Sequence, residues 1–330
     1  METLILNHSD VAALLPLRDC IAAVEQAFRL LGEGRAGAPE TLSVHADGGG
    51  FHVKAGILEL GGRRYFAAKT NGNFPGNPAR HGLPTIQGVV VLCDADDGRV
   101  LAVMDSVEIT ARRTAAATAV AARFLAPPEA SVVTVCGCGV QGREQLRALT
   151  EVLPLRRVYA CDVLAERVRA YAEEMSAELG LEVVPEPDLG RAVGRSEVVV
   201  LCTTSTEFLL YPEQVPAGSF VAGVGVDNET KRELAPALLA SAKVVTDIRA
   251  QCARIGDLHH AVEAGVLDPA DVHADLAEVV AGVRPGRETP GEVIVFDSTG
   301  MALQDVAAAA AVYERCLEPT AGGLRSVVFA

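Results

Sequence analysis

Residues 131–142, Ser-Val-Val-Thr-Val-Cys-Gly-Cys-Gly-Val-Gln-Gly, constrain the fold more than any other stretch of the chain. An apolar run rich in β-branched residues ends in Gly137, Gly139 and Gly142, spaced G-x-G-x-x-G. A helical pattern follows at once, with Leu146, Leu149 and Leu153 on one face. The spacing alone is a weak signal; a strand before it and a helix after it supply the required context. Gly137 permits a tight turn, Gly139 lets backbone approach a pyrophosphate, and Gly142 lets helix and strand pack closely. The unpaired N–H groups of the helix start, which Val140 and Gln141 open, then face the anion.

The next strand sharpens the reading. Arg157-Val-Tyr-Ala-Cys-Asp162 ends in a carboxylate 20 residues after Gly142, where an acid accepts hydrogen bonds from the adenosine ribose. A 2′-phosphate would meet a negative charge there, and Val163, Leu164 and Ala165 offer no cation in compensation. The expected cofactor is therefore NAD rather than NADP.

From Ser131 to about Phe296 strand and helix patterns alternate. Strands are expected at 132–137, 157–162, 182–185, 197–203, 220–226, 243–247 and 293–297, with helices at 141–153, 164–179 and 230–241 among them. The pattern is that of an α/β fold with a Rossmann-type, doubly wound parallel sheet. Ligands of such sheets lie beyond the carboxyl ends of the strands. That rule selects Thr203-Thr204-Ser205, Gly225-Val226-Asp227 and Asp297-Ser298-Thr299-Gly300; Thr203, Val224 and Ser298 are the cofactor-contact candidates in or beside these stretches.

The 330 residues are enough for two domains. Residues 127–300 form the expected NAD-binding domain, bounded by Pro127-Pro128; residues 1–126 with 301–330 form a smaller α+β domain for substrate binding and dimerisation. In this second part a helix is expected over 10–33, followed by strand-like runs at 41–45, 51–58 and 64–69 separated by glycine-rich turns. Residues 70–84 read as a long polar loop, 85–104 as a hairpin, and 109–125 as an alanine-rich helix. A last alanine-rich helix, 301–317, is expected to pack back on this domain.

The formal net charge of −14, without any basic run, argues against nucleic acid or an anionic membrane surface as partner. No stretch has the length and apolarity of a membrane span, and no signal peptide is recognisable, which points to the cytoplasm. The eight cysteines sit mostly in apolar patterns and do not read as a disulfide framework. Cys136 and Cys138 lack a second ligand pair, and His259-His260 lacks a partner at metal spacing, so no metal is expected.

Three groups could carry chemistry. Lys69 ends an apolar strand, where it is either an exposed charge or a partner for a substrate carboxylate. Arg112 and Arg113 lie near a helix start, an end that favours anions, so they read either as a fork for a carboxylate or phosphate or as a solvated pair. Asp227 follows a buried strand and either handles a substrate amine and its proton or caps a helix beginning near Thr230. Ser205, Ser298 and Cys252 lack a nucleophile elbow or nearby base, which disfavours a hydrolase.

These residues resemble the ornithine cyclodeaminase/μ-crystallin family over nearly the full chain. The resemblance rests on Ala68-Lys69, Gly82-Leu-Pro-Thr85, Leu101-Ala-Val-Met-Asp-Ser106, Ile109-Thr-Ala-Arg-Arg-Thr-Ala-Ala116, the 137–142 fingerprint, Gly225-Val-Asp227 with Lys231-Arg-Glu-Leu234, and Ser298-Thr-Gly-Met-Ala-Leu-Gln-Asp305. It implies a homodimer in which Lys69 and Arg113 contact a substrate carboxylate. Thr85, Arg113 and Thr114 would lie near the cofactor, and Asp227 would be the acid/base aspartate. It implies chemistry at the C–N bond of a small amino or cyclic imino acid. The first expectation is an NAD-dependent oxidoreductase or cyclodeaminase of the ornithine cyclodeaminase kind; the alternatives are a ketimine reductase of the pyrroline-2-carboxylate type or an alanine-type dehydrogenase, and, more distantly, a non-catalytic binder of the crystallin type. Two positions depart from the family's pattern: Pro39-Glu-Thr41 lacks its usual Arg, and Lys54-Ala55 stands where Met-Pro is common. Lys54 is the candidate to supply the missing positive charge.

Overall fold

The computed structural model describes residues 2–319 and 323–328. The chain divides into two compact units: residues up to Arg113 with those from Met301 onward, and Thr114–Gly300. The division falls inside the Ser106–Leu125 helix rather than at Pro127.

The first unit is built on a seven-stranded sheet. Its strands are β1 (Glu2–Leu6), β2 (Glu40–Ala46), β3 (Gly49–Leu60), β4 (Arg63–Asn73), β5 (Ile86–Asp94), β6 (Val100–Asp105) and a C-terminal strand, Arg325–Val328. The order is C-terminal strand–β1–β6–β5–β4–β3–β2; only the β1–β6 pair is parallel. The 10–33 helix of the sequence reading is two helices, His8–Leu14 and Leu17–Gly32. Pro16 lies between them, and a proline disfavours the α conformation in the residue before it. β4 extends to Asn73 and a short helix, Asn77–His81, follows, so the polar loop is shorter than its composition suggests.

Strand alternation sorts the sheet's side chains. Lys54, Gly56 and Leu58 of β3 stand opposite Lys69, Ala67 and Tyr65 of β4. This face is covered by the Ala302–Cys316 helix: a Cβ at Gly56 would lie 3.0 Å from Leu303 Cδ2 and 3.6 Å from Ala302 Cβ. The alanine-rich helix thus returns to the first unit as expected, its small residues permitting the close approach. The other face carries Leu42, Val44, Phe51, Ile57 and Val89, all exposed.

The second unit has an eight-stranded, all-parallel sheet: β7 (Val132–Cys136), β8 (Arg157–Cys161), β9 (Glu182–Pro185), β10 (Val198–Leu201), β11 (Phe220–Gly223), β12 (Lys243–Thr246), β13 (Ala274–Asp275) and β14 (Ile294–Asp297). The order β13–β12–β14–β11–β10–β7–β8–β9 reverses direction between β7 and β10, the switch point at which such sheets bind ligands. β10 and β11 are buried along their whole length, as their unbroken apolar runs require. The sequence pattern missed β13, whose two residues are too few to show a period. The helix expected over 230–241 is only Pro236–Ser241. Residues 227–235 are held instead by local bonds; Asn228 Oδ1 accepts from the backbone N–H groups of Thr230 and Lys231 at 3.0 and 3.1 Å.

Candidate active site

In the first unit, three strongly conditioned side chains meet. Lys69 leaves β4, Arg113 leaves the Ser106–Leu125 helix, and Asp305 leaves the first turn of the Ala302–Cys316 helix. Lys69 Nζ lies 2.8 Å and Arg113 Nε 2.9 Å from the same oxygen, Asp305 Oδ1. Arg113 Nη1 also donates to Gln304 Oε1 at 2.9 Å, and Lys69 Nζ reaches Thr110 Oγ1 at 3.3 Å. Ser106 Oγ donates to Asn71 Oδ1 at 2.6 Å, which fixes the neighbouring polar wall. Lys69, Arg113 and Asp305 are only 3 %, 5 % and 1 % exposed. Asp305 Oδ2 is buried and has no hydrogen-bond partner among the described residues.

The electrostatics are unusual for a chain of such negative charge. Burial, then the positive charges of Arg113 and Lys54, pull the Lys69 pKa down to about 7, although Asp305 opposes this. Burial alone would raise the Asp305 carboxyl, but Lys69 and Arg113 outweigh it and hold the group below its ordinary value. Lys54 lies directly opposite Lys69 across the sheet, and like charges so placed repel. Two buried basic side chains thus share one carboxylate oxygen.

The two arginines have separate fates. Arg112 donates to the carbonyls of Ala12, at 2.8 Å, and Leu15, and pairs with Glu108 at 2.6 Å. It closes the end of the first helix and does not point with Arg113. The helix begins at Ser106, not near Ile109, so both arginines lie beyond the first turn and the dipole conflict is weak. Thr85, in the same unit, contributes its carbonyl to Phe74 N at 2.8 Å.

In the second unit the fingerprint has the expected shape. Gly137 has φ +106°, and a Cβ there would sit 2.8 Å from the Cys202 carbonyl oxygen, at the switch point. A Cβ on Gly142 would lie 2.1 Å from Gly137 O, so only glycine lets the helix start against the strand. At Gly139 a Cβ would meet nothing within 4 Å, leaving open space where a pyrophosphate needs it. Val140 is exposed, and Gln141 Oε1 accepts from Gln145 at 3.3 Å. Asp162 closes the turn from the far side: its carboxylate accepts from Cys138 N at 2.9 Å and Leu164 N at 3.0 Å. Arg167, one helical turn beyond the residues read from sequence, reaches Asp162 Oδ2 at 3.4 Å. These residues fit a dinucleotide.

The loops beyond the other strands are tied by buried acids that sequence reasoning did not single out. Glu233 accepts from Thr203 N at 2.6 Å and Gly225 N at 2.9 Å. Asp257 Oδ1 accepts from Glu233 N and Leu234 N, each at 2.9 Å. Asp297 accepts from Leu258 N at 2.9 Å, and Asp247 from Ser298 Oγ at 3.0 Å and Thr299 Oγ1 at 3.2 Å. Burial raises Glu233 and Asp257, and burial with the neighbouring Asp247 charge lifts Asp297 to about 7. Ser298 is therefore committed through its hydroxyl to Asp247, and Val224 N donates to Leu201 O at 2.9 Å. No pattern in the sequence connects acids so far apart.

Asp227 does not cap a helix. Its Oδ1 lies 2.7 Å from Lys231 Nζ and 3.3 Å from Asn228 Nδ2, and the side chain is about two-fifths exposed, at 41 %. Thr114 O accepts from Thr118 Oγ1 at 3.5 Å.

Comparison with known proteins decides the relationship. The sequence profile of the "Ornithine cyclodeaminase/mu-crystallin family" matches residues 1–320. The chain belongs to this family. An alanine dehydrogenase of Archaeoglobus fulgidus is 37 % identical over 325 residues, covering 98 % of each chain. A solved archaeal alanine dehydrogenase dimer with bound NAD superposes with a TM-score of 0.93 at 36 % identity, covering all of both chains. The Δ1-pyrroline-2-carboxylate reductase of Thermococcus litoralis, solved with NADH and L-proline, gives 0.90 at 31 % identity, covering 96 % of this chain and 98 % of that one. The family member described here therefore has the Rossmann-type fold read from its sequence. No helix among the described residues is long and apolar enough to cross a membrane.

Proposed function

We propose that the chain is an NAD-dependent enzyme of the C–N bond of a small α-amino or cyclic imino acid. The observation that carries this is the buried cluster of Lys69 and Arg113 on Asp305, two basic side chains sharing one carboxylate oxygen. Lys69 and Arg113 hold the substrate carboxylate, sharing their donors between it and Asp305 Oδ1. Bound NAD supplies the acceptor or donor of a hydride at the substrate's α-carbon. Asp227, steadied by Lys231, takes the proton from the substrate amine or returns it to an imine. Asp162 selects the ribose 2′-hydroxyl, Gly139 admits the pyrophosphate, and Thr85, Thr114, Thr203 and Val224 border the cofactor.

The reading includes a homodimer in the cytoplasm. The open sheet face with Leu42, Val44, Phe51, Ile57 and Val89 supports the dimer, because exposed apolar patches of this kind mark association surfaces. All eight cysteines are free, as in a reducing compartment.

The test is incubation with NAD and a panel of small amino acids, following NADH absorbance and released ammonia together. NADH with ammonia means a dehydrogenase and ammonia alone a cyclodeaminase; in a parallel incubation with NADH and a cyclic imino acid, NADH consumption means a reductase. The similarity to an alanine dehydrogenase and the missing Arg at 39–41 favour net oxidation of a short amino acid over ornithine cyclisation. Silence in every arm, with NAD bound, would replace the enzyme by a binder.

A further inference from the structure

The short helix Asp257–Glu263 carries three side chains that the proposed reaction does not use: His259, His260 and Glu263. One ligand atom from each lies within 4.8 Å of the others. Adjacent histidines alone do not make a metal site; a carboxylate at helical spacing is needed beside them. The helix supplies one: Glu263 follows His259 by four residues and His260 by three, the two spacings that share a helical face.

The surroundings of the two rings distinguish this group from a chance surface cluster. His260 Nε2 is 2.7 Å from the carbonyl oxygen of Lys231, and His259 Nδ1 is 3.4 Å from that of Ala253. A carbonyl only accepts, so in each bond the ring nitrogen must carry the proton. Each neutral ring then presents a lone pair on its other nitrogen. Metal-ligating histidines are held in this way, one nitrogen donating to a backbone carbonyl while the other faces the ion. The rings are also fixed by packing. Their centroids lie 5.2 Å apart at 65°, and Phe208 meets His260 edge-on at 5.7 Å. Glu263 is exposed, which gives the group an entrance from solvent.

We propose that His259, His260 and Glu263 form a binding site for one divalent transition metal ion of the zinc class. Two imidazoles and one carboxylate suit such an ion better than calcium or magnesium, which take oxygen ligands. Three protein ligands leave a coordination position for water or a further ligand. The site adjoins the segment that carries Asp227: the Lys231 carbonyl receives His260, and the Lys231 ammonium holds Asp227. An ion here restrains that segment.

The test is calorimetric titration of the full-length, metal-stripped protein with Zn2+, and with Co2+ followed by absorbance. The expected result is about one equivalent bound. Affinity should fall at least tenfold in His259→Ala, at a half-buried position, and in Glu263→Gln, at an exposed one, with far-ultraviolet circular dichroism unchanged in both. The Co2+ spectrum should lack thiolate charge-transfer bands. Absence of saturable binding, equal affinity in both variants, or a thiolate band that places the ion on cysteine would each overturn the site. Because the readout is binding, the result stands whether or not the proposed turnover is found.

Discussion

The two units bury titratable groups by opposite means. In the first, Lys69, Arg113 and Asp305 are buried against one another, and charge pairing does most of the work. In the second, Glu233, Asp257, Asp247 and Asp297 are buried largely among backbone N–H and hydroxyl donors, with raised pKa values on three of the four. Pairing of two basic groups with one carboxylate is what the proposed binding of a substrate carboxylate rests on. Bonding to backbone donors, with only Asp257 Oδ2 left unpartnered among the described residues, fastens the loops at the strand ends. One region is built to change its partners and the other to keep them.

The largest effect expected is on turnover. Asp227→Asn removes the proposed base and should lower kcat by about 10²–10⁴-fold while NAD affinity, measured by fluorescence titration, stays nearly unchanged. Residual activity near that of the unaltered enzyme would remove Asp227 from the reaction. Next comes Asp305→Ala, which leaves Lys69 and Arg113 buried without their counter-ion and should cost about 3–5 kcal/mol in chemical denaturation. Asp247→Asn retains one acceptor oxygen and should cost less, about 1–3 kcal/mol. Equal losses at the two positions would erase the contrast between the units.

Smaller and more diagnostic is the pH profile. Lys69 in the folded protein titrates at about 7, so it is protonated below that pH and neutral above it. If its charge holds the substrate carboxylate, kcat/KM falls as pH rises through that value. Asp305 is the anion that favours the charged lysine, so Asp305→Asn should move this limb to lower pH, and a limb that stays put would show that the pair is only structural. Smallest is a change of cofactor preference. Asp162→Ser removes the carboxylate and frees Arg167, and should raise NADP use relative to NAD by about tenfold, on the order of one charge-assisted contact of about 1.5 kcal/mol.

What could be read from sequence follows the range of the interactions. The fingerprint, its strand and its helix are local, and glycine identity reports the tight turn directly; hence the fold of the second unit was legible, and Asp162 was visible as a candidate. Lys69 and Arg113 were visible as candidates, but their common partner lies at Asp305, far along the chain, and no periodicity links 69, 113 and 305. Arg112 shows the same limit from the other side: beside Arg113 in sequence, it serves the carbonyls of another helix. The 230–241 helix failed where Asn228 and Pro236 offered the backbone alternatives that hydrophobic spacing does not register. Arg167 escaped notice because a helical turn brings it back to Asp162.

The first unit is assembled from two separated pieces of chain, and its last helix brings the acid that neutralises the lysine and arginine of the earlier piece. During synthesis the second unit is complete before that helix leaves the ribosome. Until then the half-built sheet holds cations without an anion and an alanine-lined face without its cover. A chain stopped short of residue 302 would hold every strand of the parallel sheet while lacking both the acid and the helical cover of the other unit.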